Sequence, residues 1–221
     1  MKKLVIWLVV LTALGVTGYL LYQRYGQGPE YSLYQIHKAI DNRDMAALEK
    51  YVDVERTTAS LLDQTVQAGM AELPEEQRNM AALLLGMAIA SQKDEVLQAL
   101  RLEIERYVEQ GKTGGPPAGM SPEDWEDVQA LLPLDRLLQE SQLLNSRIDG
   151  ISYVNTQDSL AVVGLNLLTP AQKDPIVVEL QMRNRQTHWQ VIGLPNAGQV
   201  LKKLGVLDVW RQSQTMPQLR M

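Results

Sequence analysis

A short basic stretch near the C-terminal end contains the side chains of this 221-residue chain that come closest to a binding site. His188 directly precedes Trp189 and follows Arg183 and Arg185 at short spacing. Two guanidinium groups and an imidazole can together bind an anionic group at the rim of a sheet. A solvated hairpin turn explains the same residues, since such side chains are usually exposed. The sequence thus offers Arg183, Arg185 and His188 as a candidate anion site, with the turn as the more ordinary interpretation.

Residue types that could form a catalytic or metal centre are sparse. The two histidines, His37 and His188, are far apart in the chain, and there is no cysteine. A transition-metal site would therefore need carboxylates at a spacing that the sequence does not show. Asp41, Asp44 and Asp53 fit helix-capping and loop positions instead, and the sequence has no hydrolase, zinc-peptidase or phosphate-loop motif. We expect a protein that is not an enzyme and that uses no cofactor or metal.

The N-terminal segment predicts a membrane anchor. Residues 4–22 carry no charged side chain and directly follow Lys2 and Lys3. As a helix they would span about 28 Å, close to the roughly 30 Å of a bilayer's hydrocarbon core. Aromatic side chains that suit the membrane interface lie towards both ends (Trp7, Tyr19, Tyr22 and Tyr25). We predict a transmembrane anchor over residues 1–25.

The charges beside this segment predict its orientation. Lys2 and Lys3 precede it, whereas Arg24 is the first basic residue after it. Because basic residues favour the cytoplasmic side, we expect a single-pass protein of the cytoplasmic membrane with its N-terminus inside and its main domain outside. The alternative is a secreted protein released by signal-peptide cleavage, although signal-peptide cores are usually about 7–15 residues long.

Composition excludes several classes of partner. The net charge is −5 and the isoelectric point is near 5.1, whereas a nucleic-acid-binding protein would show a basic stripe. We therefore expect no nucleic-acid partner. The absence of cysteine also rules out disulfides, so the domain must be stabilised by its core.

Turn-forming residues divide the remainder of the chain. Glycine and proline predict a spacer over residues 26–30 and a loop over residues 111–121. We expect one folded domain over residues 31–210 and a flexible tail over residues 211–221.

Helical periodicity dominates the first part of this domain. Two short amphipathic helices are expected on either side of Asp44, which can cap the second. From residue 54 to residue 110 the pattern stays helical, and Ala82, Gly86 and Ala90 recur every four residues. Such a strip of small side chains lets another helix or a ligand approach closely, and tight helix packing is its usual role.

The period changes from helix to strand at Arg147. Alternating apolar residues predict four strands near residues 148–154, 160–167, 176–182 and 189–192, separated by short turns such as residues 155–158. Short connections favour antiparallel hairpins, and a last helix is expected over residues 197–204. Helices followed by a sheet predict an α+β fold with an N-terminal transmembrane helix, a helical region, a four-stranded antiparallel sheet and a C-terminal helix.

A resemblance covers residues 30–65. The stretch YSLYQIHKAIDNRDMAALEKYVDVERTTASLLDQ resembles the opening of a bacterial family of membrane-anchored proteins of unknown function. The matching positions are Tyr31, Tyr34, Gln35, Ile36, Ala39, Ile40, Asp44, Tyr51, Val52, Asp53, Ser60 and Leu61. This resemblance implies a cellular location, at the membrane, and a fold architecture, but it implies no active site. The order of a helical opening and a terminal sheet is also similar to NTF2-like and cystatin-like domains.

Two classes of function follow. The first is a non-enzymatic domain tethered outside the membrane that serves protein interaction or envelope maintenance through an unknown protein partner. The second is a binder or carrier of a small apolar molecule or lipid, in a pocket between the sheet and the helix around residues 82–90. An exposed apolar patch would favour the first and a large apolar cavity the second. An NTF2-like enzyme would instead require His188 to face an aspartate inside a pocket.

Overall fold

A computed structural model describes residues 28–71, 75–112, 115–131, 133–142 and 145–215, with backbone alone at residues 75–92, 131, 134–135, 138, 211 and 213–215. The helices of these ranges are α1 (Pro29–Asp41), α2 (Met45–Tyr51), α3 (Val54–Ala71), α4 (Glu75–Gln110), α5 (Pro122–Leu131), α6 (Leu134–Glu140), α7 (Ala197–Lys203) and α8 (Val206–Thr215). The strands are β1 (Arg147–Gln157), β2 (Leu160–Leu168), β3 (Ile176–Asn184) and β4 (Trp189–Gly193).

The order of these elements confirms the predicted α+β class. The four strands form one antiparallel sheet in the order β1-β2-β3-β4, after the helical region and before α7 and α8. The predicted anchor over residues 1–25 lies outside the described residues. Among the helices that the structure describes, none is long and apolar enough to cross a membrane.

Local sequence signals explain how the first helices begin. Asp44 caps α2 as predicted, since its carboxylate accepts a hydrogen bond from the Ala47 backbone N–H at 2.9 Å. Helix α1, however, begins at Pro29, inside the predicted spacer. Proline suits the first helical turn because its missing N–H has no partner there. Ser32 lies one turn inside α1, and its side chain is fully buried.

The strands are longer than the ranges that the sequence predicts for them. The predicted turn at residues 155–158 is wrong in part, because β1 continues to Gln157 and the turn is confined to Asp158 and Ser159. Asp158 has a φ of 53°, a left-handed conformation that Asp tolerates better than most residues. Strand β1 also shifts register against β2 between Ile148 and Gly150 and between Ile151 and Tyr153.

The C-terminal region contains one helix more than expected. Helix α7 matches the predicted helix, and α8 follows it after Gly205, which has a φ of 75°. Helix α8 extends to Thr215, so residues 211–215 of the expected tail are helical. Its Trp210 ring packs on Gly69 of α3, where an added Cβ would lie 2.1 Å from the ring. The close approach of α3 and α8 therefore depends on the absence of a side chain at Gly69.

The core lies on one face of the sheet, which we call the inner face. Near β4 it is formed by Ala161, Val163, Leu165, Met182, Trp189 and Val191, and Leu33 and Ile36 of α1 pack against them. Towards the start of β3, Ile176 packs with residues of α6, α7 and α8. A second apolar cluster joins α3, α4 and α5 through Leu62, Val96, Ala99, Trp125 and Val128. Helices thus cover the inner face over strands β3 and β4.

Candidate functional site

The candidate anion residues lie at the hairpin between β3 and β4, where it meets the junction of α2 and α3. The His188 ring contacts the Tyr51 ring edge-on, with 5.3 Å between the centroids and 77° between the planes. Arg185 Nε donates to Gln190 Oε1 at 2.9 Å, and Arg185 Nη2 lies 3.8 Å from Asp53 Oδ2. The hairpin is therefore fixed to the α2–α3 junction by the aromatic contact, the ion pair and a hydrogen bond from Gln190 Nε2 to the Glu49 carbonyl at 3.1 Å.

Asp53 joins this junction to the sheet. Its backbone N–H donates to the Val191 carbonyl at 2.9 Å, while Val52 forms a parallel bridge with Val191. Its carboxylate Oδ1 accepts a hydrogen bond from the Arg56 N–H at 3.1 Å, so Asp53 also caps α3. The Tyr51-Val52-Asp53 segment of the family resemblance is thus the point where the helical region adds a short edge to β4.

These contacts bear on the candidate anion site. Arg183 is the cross-strand partner of Gln190, so both Arg183 and Arg185 lie beside this amide. Arg185 already has an amide and a carboxylate as partners, which gives it a structural role in the hairpin. Binding of an anion by Arg183, Arg185 and His188 stays a prediction. Within the described ranges, no three His, Cys, Asp or Glu side chains are grouped in a way that could hold a metal ion.

The electrostatics at His188 favour its neutral form. Burial holds the pKa of His188 below its ordinary value, and the positive charges of Lys50 and Arg185 act in the same direction. A hydrogen bond with the Lys50 backbone opposes this shift. A neutral imidazole adds no positive charge for an anion, and it suits the edge-on contact with Tyr51.

This lowered pKa predicts a pH dependence of stability. The unfolded chain binds a proton at His188 more readily than the folded chain does, so the free energy of unfolding should fall as the pH drops below about 6.5. Replacing His188 with Gln should remove this component. We expect the stability difference between wild type and His188→Gln, measured by urea unfolding, to decrease between about pH 7.5 and pH 5.5. Parallel pH curves for the two proteins would contradict the lowered pKa.

The predicted packing strip and pocket are located only in part. Ala82, Gly86 and Ala90 lie in α4, and their side chains are outside the described part of the structure. An open groove of about 660 Å³ lies elsewhere, between α3, the β4–α7 connection, α7 and α8. Its lining mixes polar and apolar side chains, with Gln64, Gln199 and Lys202 beside Ala68, Pro195 and Leu207. An open groove of mixed polarity is not the enclosed, mostly apolar pocket that an apolar ligand needs.

An exposed apolar surface on β1 is the feature that sequence reasoning did not single out as a site. Ile148 and Ile151 are 64% and 44% exposed. They pair with Leu167 and Leu165 of β2, so they lie on the inner face of the sheet. Tyr153 and Leu160, also exposed, lie on the outer face. We call the adjacent pair Ile148 and Ile151 on the inner face the β1 surface.

The register shifts of β1 explain this surface. In a regular strand, residues three apart point to opposite faces. The two irregularities of β1 bring Ile148, Ile151 and Val154 to the inner face at three-residue spacing. Val154 reaches the cluster that α1 covers, whereas Ile148 and Ile151 extend beyond the helices. The three-residue spacing inside a predicted strand was the signal that could have identified this surface.

Gly164 sets the position of Tyr153 on the outer face of β1 and β2. A Cβ at Gly164 would lie 2.4 Å from the Tyr153 ring, so the ring crosses β2 over this glycine. The Tyr153 hydroxyl then donates to Glu179 Oε1 on β3 at 2.6 Å, and this hydrogen bond raises the pKa of Tyr153. Asn196 holds the next part of β3 by donating to the Val177 carbonyl and accepting from the Glu179 N–H, each at 2.9 Å. Tyr153 is therefore held on the outer face of the sheet, opposite to the β1 surface.

The comparisons with known proteins bear on the first half of the chain. For the chain as a whole, no curated protein and no solved structure matches. The similarity to NTF2-like and cystatin-like domains accordingly stays a prediction. Over residues 20–103 the chain is similar to the family described as "Protein of unknown function (DUF2939)", a range that includes the Tyr51-Val52-Asp53 segment.

Proposed function

We propose that this protein is a membrane-anchored, extracytoplasmic interaction module without enzymatic activity, serving envelope maintenance through a protein partner. The observation that carries the proposal is the β1 surface, where Ile148 and Ile151 continue the apolar inner face beyond the helices that cover it. Contiguous exposed apolar side chains are typical of protein interaction sites. The proposed location at the membrane rests on the charge-free segment over residues 4–22.

The geometry of the β1 surface favours an amphipathic helix as the partner's binding element. Helices are what the inner face already accepts, from α1 near β4 and from α6 to α8 near Ile176. A partner helix laid over Ile148 and Ile151 would continue this layer to the edge of the sheet. Addition of a partner strand is less suitable, because the register shifts and Gly150, with a φ of 146°, interrupt the regular edge of β1.

The alternative, a carrier of a small apolar molecule or lipid, draws little support from the described residues, since the groove beside α3 is open and its lining is mixed in polarity. Native mass spectrometry of the chain purified from its own host distinguishes the two functions. A discrete extra mass that is lost on denaturation would favour the carrier. A clean protein mass is expected for the interaction module.

Site-specific photo-crosslinking in living cells tests the interaction. We expect full-length chains with a photoreactive residue at Ile148 or Ile151 to form one discrete adduct with a single protein, because these side chains would be buried in the complex. Tyr107, which is 48% exposed on α4, is the matched control position and should give no such adduct. An Ile148→Asp/Ile151→Asp chain should no longer co-purify with the crosslinked protein, since carboxylates would be desolvated in the interface. Equal adducts at all three positions, or none, would overturn the β1 surface as the contact site.

A topology assay tests separately whether the main domain lies outside the cytoplasmic membrane. A reporter fused to the C-terminus should be digested by protease added to intact spheroplasts. A reporter that stays protected from the protease would contradict the extracytoplasmic location, whatever the crosslinking shows.

A further inference from the structure

A second exposed apolar feature lies on α1. Tyr31 and Tyr34 are 38% and 59% exposed, and Lys38 is exposed one turn further along the same side of the helix. We call these three residues the α1 stripe. The opposite side of α1 packs in the core, since Ser32 and Ala39 are buried and Leu33 and Ile36 pack on the sheet.

The exposed half of α1 is divided by side-chain type. Glu30, His37 and Asp41 occupy its other side, where His37 Nδ1 lies 3.5 Å from Asp41 Oδ1. Tyr34 lies at the centre of the exposed face, with Tyr31 and Lys38 on one side of it and Glu30, His37 and Asp41 on the other. Tyrosine, with an apolar ring and a polar hydroxyl, is enriched at membrane interfaces, and a lysine can extend its ammonium group towards lipid headgroups.

Chain length places α1 near the bilayer if residues 4–22 span it. Tyr22 and Pro29 are seven residues apart, so the connection reaches at most about 25 Å in any conformation. The headgroup region on each side of the hydrocarbon core is about 5–7 Å thick. The start of α1 therefore lies within about 25 Å of the end of the span, which allows α1 to reach the headgroups.

We propose that the α1 stripe lies in the outer headgroup interface of the bilayer that holds the anchor, and so orients the whole domain on the membrane. This inference rests on the membrane anchor of the proposed function. The occupant of the stripe is the lipid interface, because the stripe joins aromatic and basic side chains directly after the predicted span. The domain would then stand with Tyr31, Tyr34 and Lys38 towards lipid and with His37 towards water.

The chain's lack of cysteine makes a direct test practical. A single Cys is introduced as Lys38→Cys or as His37→Cys, and the full-length protein is labelled with a polarity-sensitive fluorophore and reconstituted into phosphatidylcholine–phosphatidylglycerol vesicles. We expect the label at position 38 to emit at shorter wavelength, to be quenched by brominated lipid and to be protected from iodide. The label at position 37, one residue away on the same helix, should remain open to iodide.

A second pair of variants tests the tyrosines themselves. Adding Tyr31→Ser and Tyr34→Ser to the Lys38→Cys chain should reduce quenching by brominated lipid, and circular dichroism should be unchanged because both side chains are exposed. Equal quenching at positions 37 and 38, or no effect of the serine substitutions, would overturn the inference. Vesicle flotation separates this failure from failure of the anchor, since a chain without a membrane anchor would not float with the vesicles.

Discussion

Replacing Met182 with Ala is expected to lower the free energy of unfolding by roughly 2–5 kcal/mol. Met182 is fully buried at the centre of the inner face, where it pairs with Ala161 on β2 and Val191 on β4 beneath α1. Truncation would remove its apolar contacts and leave a cavity, because strands and helix hold the surrounding side chains on three sides. Urea unfolding of the full chain in detergent, followed by circular dichroism, measures the loss.

Two further substitutions separate packing from other effects at this position. Met182→Leu roughly conserves the volume and should cost less than about 1.5 kcal/mol. Arg183→Ala changes the adjacent residue, which points to the outer face, and should stay within about 0.5 kcal/mol of the wild type. If Met182→Ala were no more destabilising than Arg183→Ala, the inner face would not be packed as described.

The periodic part of the fold could be predicted from sequence alone because it depends on neighbouring residues. Strands β2, β3 and β4 are short apolar runs bounded by turn residues, and the capping carboxylate at Asp44 is a local signal with a local partner. The additional helix α8 was missed because its apolar part is only residues 206–210, directly after Gly205, and its second half, residues 211–215, is polar like a frayed terminus. Its position depends on Trp210 and Gly69, which are distant in the chain.

The candidate site depended on relations that one sequence does not reveal. The three-residue spacing of Ile148 and Ile151 becomes an apolar surface only through the register shifts against β2. Gly164, isolated within a strand pattern, was a signal for a close approach, but its partner Tyr153 is set by pairing. The contacts of His188 with Tyr51 likewise require the α2–α3 junction to meet the β3–β4 hairpin. The sequence therefore identified the helices and strands. Which side chains are exposed and which contact each other depends on the register between these elements.

Ser32→Ala is expected to destabilise the protein by about 1–3 kcal/mol, although alanine is the better helix former. Ser32 is fully buried in α1, and its Oγ accepts a hydrogen bond from the Trp189 backbone N–H of β4 at 2.9 Å. Removing the hydroxyl would leave this N–H without a partner at a position that water does not reach. The bond joins residues 157 positions apart, so its loss should also loosen α1 from the sheet.

The sign of the effect is what makes this substitution decisive. Helix propensity alone would stabilise Ser32→Ala by a few tenths of a kcal/mol. The reverse change at an exposed helical position, Ala46→Ser in α2, measures that propensity without a buried partner and should cost a similarly small amount. Urea unfolding of the two full-length variants gives both values. A neutral or stabilised Ser32→Ala chain would mean that the Trp189 N–H is satisfied in another way, and that α1 is held to β4 by apolar packing of Leu33 and Ile36 alone.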